Sequence, residues 1–447
     1  MQHSNEQSNH FFRNILTAAT AVGALLVANV PFNSGATAEV EAVAPLPGDR
    51  ECHSVLERQP DGSYSLIEHC EEVPVYTVPT LPDFPRPEKI KANTSRCFPI
   101  KAPGVGQYDV NINLAVVDPS RAGFATVYSP DSHVDPTSYS SINFDAGETT
   151  SNAARVPITA EMVDGEPTGA ACVYSMSLTD VVVDVVSFEE SQTTRAASED
   201  GAAVRVFDSR EKNLQTNGDP VNAGQTVCVE VGHPGELAII NAAVDNPLKP
   251  GYLTVHSSIA NPTATANVNF DMGETVSNLT KTVVGEDGKI CATPLVTTDV
   301  VLDVLGYKVP DSFEVLADDG SAVRLVDSRT LGQKIPAGQM LCIETGWPDA
   351  FVDINVAVTE PEAAGFFNAH LEDRLWGLAS SGNFAAGETT SNRVIASTDS
   401  KGVTCVTSNQ PTHIVVDAIV VYEEGVVIHP PIGSDGRPLD TRTDAVF

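Results

Sequence analysis

The feature that most constrains this chain is a ten-residue stretch that occurs three times. It reads Asn143-Phe144-Asp-Ala-Gly147-Glu148-Thr149-Thr-Ser151-Asn152, then Asn269 to Asn278, then Asn383 to Asn392. Asn, Phe, Gly, Glu, Thr, Ser and Asn hold the same places in every copy, so the chain is a tandem array. Asn-Phe reads as the end of a strand and Gly as a residue free to take a positive φ. Ser-Asn opens the next strand and can hydrogen-bond local backbone.

Short β-branched runs surround each copy. Around the second they are Val227–Val231, Leu237–Val244, Gly251–His256, Ala266–Phe270, Ser277–Val284, Lys289–Leu295, Asp299–Val309 and Val323–Arg329. Gly, Pro, Asn or Asp separates them, and no run after the first forty residues has a helical period. This predicts an all-β chain of three tandem β-sandwich modules, immunoglobulin-like or jelly-roll-like. The expected modules are 97–210, 211–329 and 330–447, joined as a string with limited bending.

The N-terminal part is different. An apolar run from Ile15 to Val30 precedes Ala36-Thr37-Ala38, which predicts an export signal over 1–38 and a mature start near Glu39. Residues 39–72 read as a small hairpin head about Pro60-Asp61-Gly62. Folding there sets Cys52 against Cys70 and His53 against His69 on opposite faces, which favours a disulfide over a metal site. Residues 73–96 are a proline-rich linker.

Eight cysteines fit an oxidising compartment. Cys97 and Cys172, Cys228 and Cys291, and Cys342 and Cys405 each bracket one copy of the repeated stretch. One disulfide per module follows, with Cys52–Cys70 in the head.

Acidic residues outnumber basic ones 59 to 26, a net charge of −33. Such a surface repels nucleic acid and anionic membrane. After the leader no further membrane span is expected.

Two polar patterns recur. One Asp stands among aliphatics in each late strand: Asp184, Asp303 and Asp417. An Arg-x-x-Asp-Ser/Thr-Arg segment follows at 21, 21 and 20 residues, as Arg205–Arg210, Arg324–Arg329 and Arg437–Arg442. A buried carboxylate calls for a guanidinium partner, so Asp–Arg pairs are expected within each module. On this reading Arg437–Arg442 closes the third module, with Arg437 or Arg442 beside Asp417. The alternatives are that it completes the first module or docks on a neighbouring molecule. A calcium site using these carboxylates is the competing reading, and the fixed arginines argue against it.

Glu148, Glu274 and Glu388 read as turn residues accepting backbone hydrogen bonds. No second carboxylate or His accompanies them in all three copies, so no enzyme, cofactor or metal is expected. His256 and His370 share a repeat position that holds Tyr128 in the first module. Phe124, Tyr252 and Phe366, with Phe144, Phe270 and Phe384, read as core aromatics. Trp347 and Trp376 have no counterparts and are the candidates for glycan contact.

Arg324–Arg329, Gly251–Val255, the ten-residue stretches and Asp303-Val-Leu-Gly306-Tyr307 resemble a repeat of secreted and cell-wall-associated actinobacterial proteins. The resemblance covers about three quarters of the chain. It implies accessory modules beside wall-active enzymes or proteases, with no activity of their own. The expected function is a secreted, non-catalytic structural or adhesive protein at the cell surface, with a wall component as partner. The alternative is a protein that binds wall or environmental glycan.

Overall fold

The computed structural model describes residues 88–132, 134–198, 203–213, 215–260, 265–371, 380–428 and 437–442, with the backbone alone of 14–20, 50–58 and 64–72. The described elements are strands and three short 3-10 turns. No helix among the described residues is long and apolar enough to cross a membrane.

Each repeat copy lies in a two-sheet β unit, as expected. In the second module Leu237–Asp245 is flanked by Thr275–Val283 and Asp299–Lys308 in one sheet. Val227–Glu230, Lys289–Pro294, Gly251–Ser257 and Val268–Phe270 form the other. The third module repeats this around Phe351–Thr359, and the first around Gly106–Val117. In the first module the strand Thr149–Val163 is long enough to pair in both sheets and joins them.

Alternation along the central strand sets the packing. Val110, Ile112, Leu114 and Val116 enter the core of the first module. Ala238, Ile240, Ala242 and Val244 do so in the second, and Val352, Ile354, Val356 and Val358 in the third. The intervening residues Asp109, Asn111 and Asn113, then Ile239 and Asn241, then Asp353 and Asn355, are buried as well. Their face is covered by the neighbouring modules.

The connections between modules correct the expected boundaries. After Asp180–Glu190 the chain crosses to the second module and adds Thr194–Ala196 and Val204–Asp208 to the edge of Asp299–Lys308. After Asp299–Lys308 it adds Phe313–Val315 and Val323–Asp327 to His413–Tyr422 of the third module. After His413–Tyr422 it adds Val427–Ile428 and Leu439–Asp440 to Asp180–Glu190 of the first. So 204–208 belongs to module two, 323–327 to module three, and the C-terminal segment completes module one. The modules form a closed ring, not a string. The physical reason is an open sheet edge on each late strand, which the preceding module's outgoing chain covers.

Other boundaries shift less. Ile90 bridges Thr179, as Val221 bridges Thr298 and Ile335 bridges Thr412, so the first module begins inside the expected linker. The head is a hairpin of Arg50–Arg58 and Tyr64–Glu72 with Cys52 opposite Cys70 and His53 opposite His69. The Cys52–Cys70 bond itself lies outside the described residues, as do most of the expected leader and residues 73–87. Asn14–Thr20 of that leader pairs with Arg50–Arg58 and with Met340–Glu344.

Candidate functional site: the junction of the three modules

The repeated stretch builds the junction. Its Gly takes a left-handed φ in every copy: 75° at Gly147, 78° at Gly273 and 75° at Gly387. The Gly amide donates to the carbonyl of Pro119, Pro247 or Pro361 at 2.8 Å, tying the turn to the loop that follows the central strand. One residue on, the Glu side chain folds back. Glu148 accepts from the Asp145 amide at 2.6 Å and Glu274 from Asp271 at 2.6 Å, and Glu388 accepts from Ala385.

This local role places the three carboxylates together. One ligand atom each of Glu148, Glu274 and Glu388 lies within 4.8 Å of the others. Burial, with the Glu388 and Glu148 charges, lifts Glu274 to about 7. Burial, with the Glu148 charge, lifts Glu388 to about 7. Glu148 is raised as well, chiefly by burial. Three carboxylates in that arrangement can share protons or hold a cation.

The Asn that ends each stretch works twice. Asn152, Asn278 and Asn392 each donate to the carbonyl eleven residues back, at 2.7, 2.7 and 2.6 Å. Asn152 also accepts the Leu279 amide of module two at 3.0 Å, and Asn392 accepts the Ala153 amide of module one at 2.7 Å. Asn113, Asn241 and Asn355 complete the belt. They donate to Ser380, Ser140 and Ala266 carbonyls at 2.7, 2.9 and 2.7 Å, so each module bonds to another in one cyclic sense.

A charged cluster is buried in the same junction. Asp353 meets Lys281 at 2.9 Å, Arg393, and the Tyr422 hydroxyl at 2.7 Å. Burial alone would raise Asp353, but Lys281 and Arg393 hold it at about 2. Lys308 pairs with Glu189 at 2.6 Å, and Arg155 with Asp109 at 2.5 Å. A single-sequence reading missed these residues. For Asp109 and Asp353 the available signal was the polar half of a central strand whose other half is uninterrupted Val, Ile and Leu.

The Asp–Arg pairs form, in a rotated order. Arg205 donates to Asp303 from Nε at 2.8 Å and Nη2 at 3.0 Å. Arg324 donates to Asp417 at 2.5 and 3.2 Å, and Arg437 to Asp184 at 2.6 and 3.3 Å. Arg437 therefore does not meet Asp417. Arg210, Arg329 and Arg442 brace the Asp two residues before them, namely Asp208, Asp327 and Asp440. Burial raises Asp184 and Asp417, each opposed by its arginine.

The disulfides Cys97–Cys172, Cys228–Cys291 and Cys342–Cys405 each lie within one module. Beside them sit Tyr128, His256 and His370, opposite Cys172, Cys291 and Cys405 on the neighbouring strand. His256 and His370 are tied to Thr293 and Thr407 hydroxyls at 3.0 and 2.8 Å and to adjacent carbonyls, a structural setting. Phe144, Phe270 and Phe384 are core residues, and Phe124 packs on Tyr174. Trp347 is half-buried against the third core, and its carbonyl accepts from Thr398. Trp376 lies outside the described residues. A small cleft between modules one and two is lined by Tyr128, Ser129, Ser132, Tyr139, Arg155 and Leu305, among others.

No protein-family profile and no curated protein matches the sequence. Among solved structures, the chain is similar to one described under "The Triple Jelly Roll Fold and Turret Assembly in an Archaeal Virus", at 11% identity over 86% of this chain and 91% of that one, TM-score 0.16. It is also similar to the tandem CBM22-1–CBM22-2 domain of Paenibacillus barcinonensis Xyn10C, at 10% identity over 51% of this chain and 99% of that one, TM-score 0.17. Neither overlay is close enough to bear on function.

Proposed function

We propose that the protein is a non-catalytic extracellular structural or adhesive protein at or near the cell surface. The observation that carries this reading is the cyclic exchange of edge strands. Every module is completed by chain from the module before it, and the last closes on the first. The recurring polar residues are engaged in that assembly: arginines clasp the exchanged strands and asparagines bond module to module. Three disulfides among the described residues suit an oxidising compartment. The resemblance to secreted actinobacterial accessory repeats points the same way.

Glycan binding is the second reading. The cleft that joins Tyr128 and Tyr139 to Ser129, Ser132 and Arg155 favours it, because an aromatic face with convergent polar groups suits a sugar ring.

Fractionating producing cells and applying the purified protein to peptidoglycan and polysaccharides separates these readings. The structural reading predicts recovery outside the cell or on its surface, with a mature start near Glu39 and no retention on polysaccharide. Retention lost in Tyr139→Ala or Trp347→Ala would establish the glycan reading instead. Hydrolytic activity abolished by Glu274→Gln would overturn both.

A further inference from the structure

Lys281 and Lys308 are among the largest fully buried side chains. Removing an ammonium from water costs several kcal/mol even after relaxation, so each needs a partner. Lys281 faces a carboxylate that Arg393 and Tyr422 also hold. Asp353 stays ionised there, and an ionised carboxylate is a poor electrophile.

Lys308 stands differently. Its Nζ is 2.6 Å from Glu189 Oε2, with side-chain exposures of 0% and 1%. The other oxygen of the same carboxylate, Oε1, lies 2.8 Å from the amide nitrogen of Asn111, itself buried. One carboxylate thus bridges a primary amine and a carboxamide. The amine comes from Asp299–Lys308 of module two, the other two groups from paired strands of module one. The Tyr422 ring of module three lies 5.4 Å from Nζ. Burial pulls the Lys308 amine below its ordinary value, with the Glu189 charge opposing; burial would raise the Glu189 carboxyl, but the Lys308 and Lys281 charges hold it below its own ordinary value. A desolvated lysine beside a base is an activated nucleophile.

We propose that Lys308, Glu189 and Asn111 form a self-processing site that joins modules one and two through a Lys308–Asn111 amide bond. Glu189 takes the ammonium proton, and the neutral Nζ attacks Asn111 Cγ. Glu189 then delivers that proton to Nδ2 and takes a second proton from Nζ. The Nζ–Cγ bond forms, the Cγ–Nδ2 bond breaks, and ammonia leaves. Neither oxidant nor reductant is needed. The step starts from a buried ion pair and ends with a neutral amide and a neutral carboxylic acid, which removes two charges from a buried site. Paired strands hold Glu189 beside Asn111, and the module junction sets Lys308 against Glu189, which supplies the proximity that such a slow condensation needs.

Peptide mapping of the purified, folded full-length protein by mass spectrometry tests this. The expected result is a branched peptide linking Lys308 to Asn111, lighter by one ammonia, about 17 Da. It should disappear in Glu189→Gln and in Asn111→Ala. Recovery of separate unmodified peptides carrying Lys308 and Asn111 from the folded wild-type protein would overturn the proposal. So would a branch from Lys308 to Glu189 with loss of water. The wild-type map is decisive by itself, so a variant that fails to fold leaves the test intact.

Discussion

Arg437 donates from Nε to Asp184 Oδ1 at 2.6 Å, across 253 residues of sequence. The same pair recurs as Arg205 with Asp303 and Arg324 with Asp417, at 98 and 93 residues. The first two modules hand their arginine segment forward to the next. The third hands its segment to the first. The long separation is therefore the signature of ring closure.

Arg437→Ala should destabilise the first module by about 2–3 kcal/mol. That lies below the cost of breaking a fully buried pair, because Arg437 remains 24% exposed. Asp184→Asn should cost less, since it removes the buried charge along with its partner's role. Denaturant titration of the two variants checks the order.

Asp353→Ala should be among the most damaging single substitutions, at roughly 3–5 kcal/mol, because it leaves Lys281 and Arg393 as unpaired buried cations. A denaturation midpoint close to wild type would mean that water reaches this cluster.

The glutamate trio predicts a pH dependence of definite sign. Glu274 and Glu388 titrate near 7 in the folded protein, above the ordinary carboxylate value. Between that ordinary value and 7 the folded state holds more protons than the unfolded one, so stability falls as pH rises. Glu274→Gln should raise the melting temperature by a few degrees at pH 8 and change little at pH 5. A variant that melts like wild type at both pH values would show that the three carboxylates do not interact.

Cys228→Ser with Cys291→Ser opens a loop spanning 63 residues. The chain-entropy argument assigns that closure about 4 kcal/mol. Calorimetry should show the second module melting earlier while Cys97–Cys172 and Cys342–Cys405 persist. An unchanged profile would place the stability of that module in its core and its exchanged strand.

Much of this was legible in the sequence. The all-β class, the three units, the glycine turn and the disulfide pairing within units follow from the repeat and its cysteine phase. The Asp–Arg pairing was legible as chemistry, because Asp184, Asp303 and Asp417 stand among valines. Its rotation by one module was not. An offset of about twenty residues fits pairing either to the strand just left or to the strand just ahead, and only three-dimensional reach decides. Glu148, Glu274 and Glu388 were legible as turn residues. Their convergence depends on ring closure, which no local spacing encodes. Asp353 was missed because Asn111 and Ile239 hold its place in the other modules, and Lys281 because Arg155 and Ile395 hold its place, so no identical residue marks either position.

The central claim is that the C-terminal segment completes the first module and closes the ring. Hydrogen exchange on a chain ending at residue 428 tests it most directly. The account predicts faster exchange in Asp180–Glu190, the strand that pairs with Leu439–Asp440, while His413–Tyr422 keeps its protection. Faster exchange confined to His413–Tyr422, or no change in either strand, would contradict it.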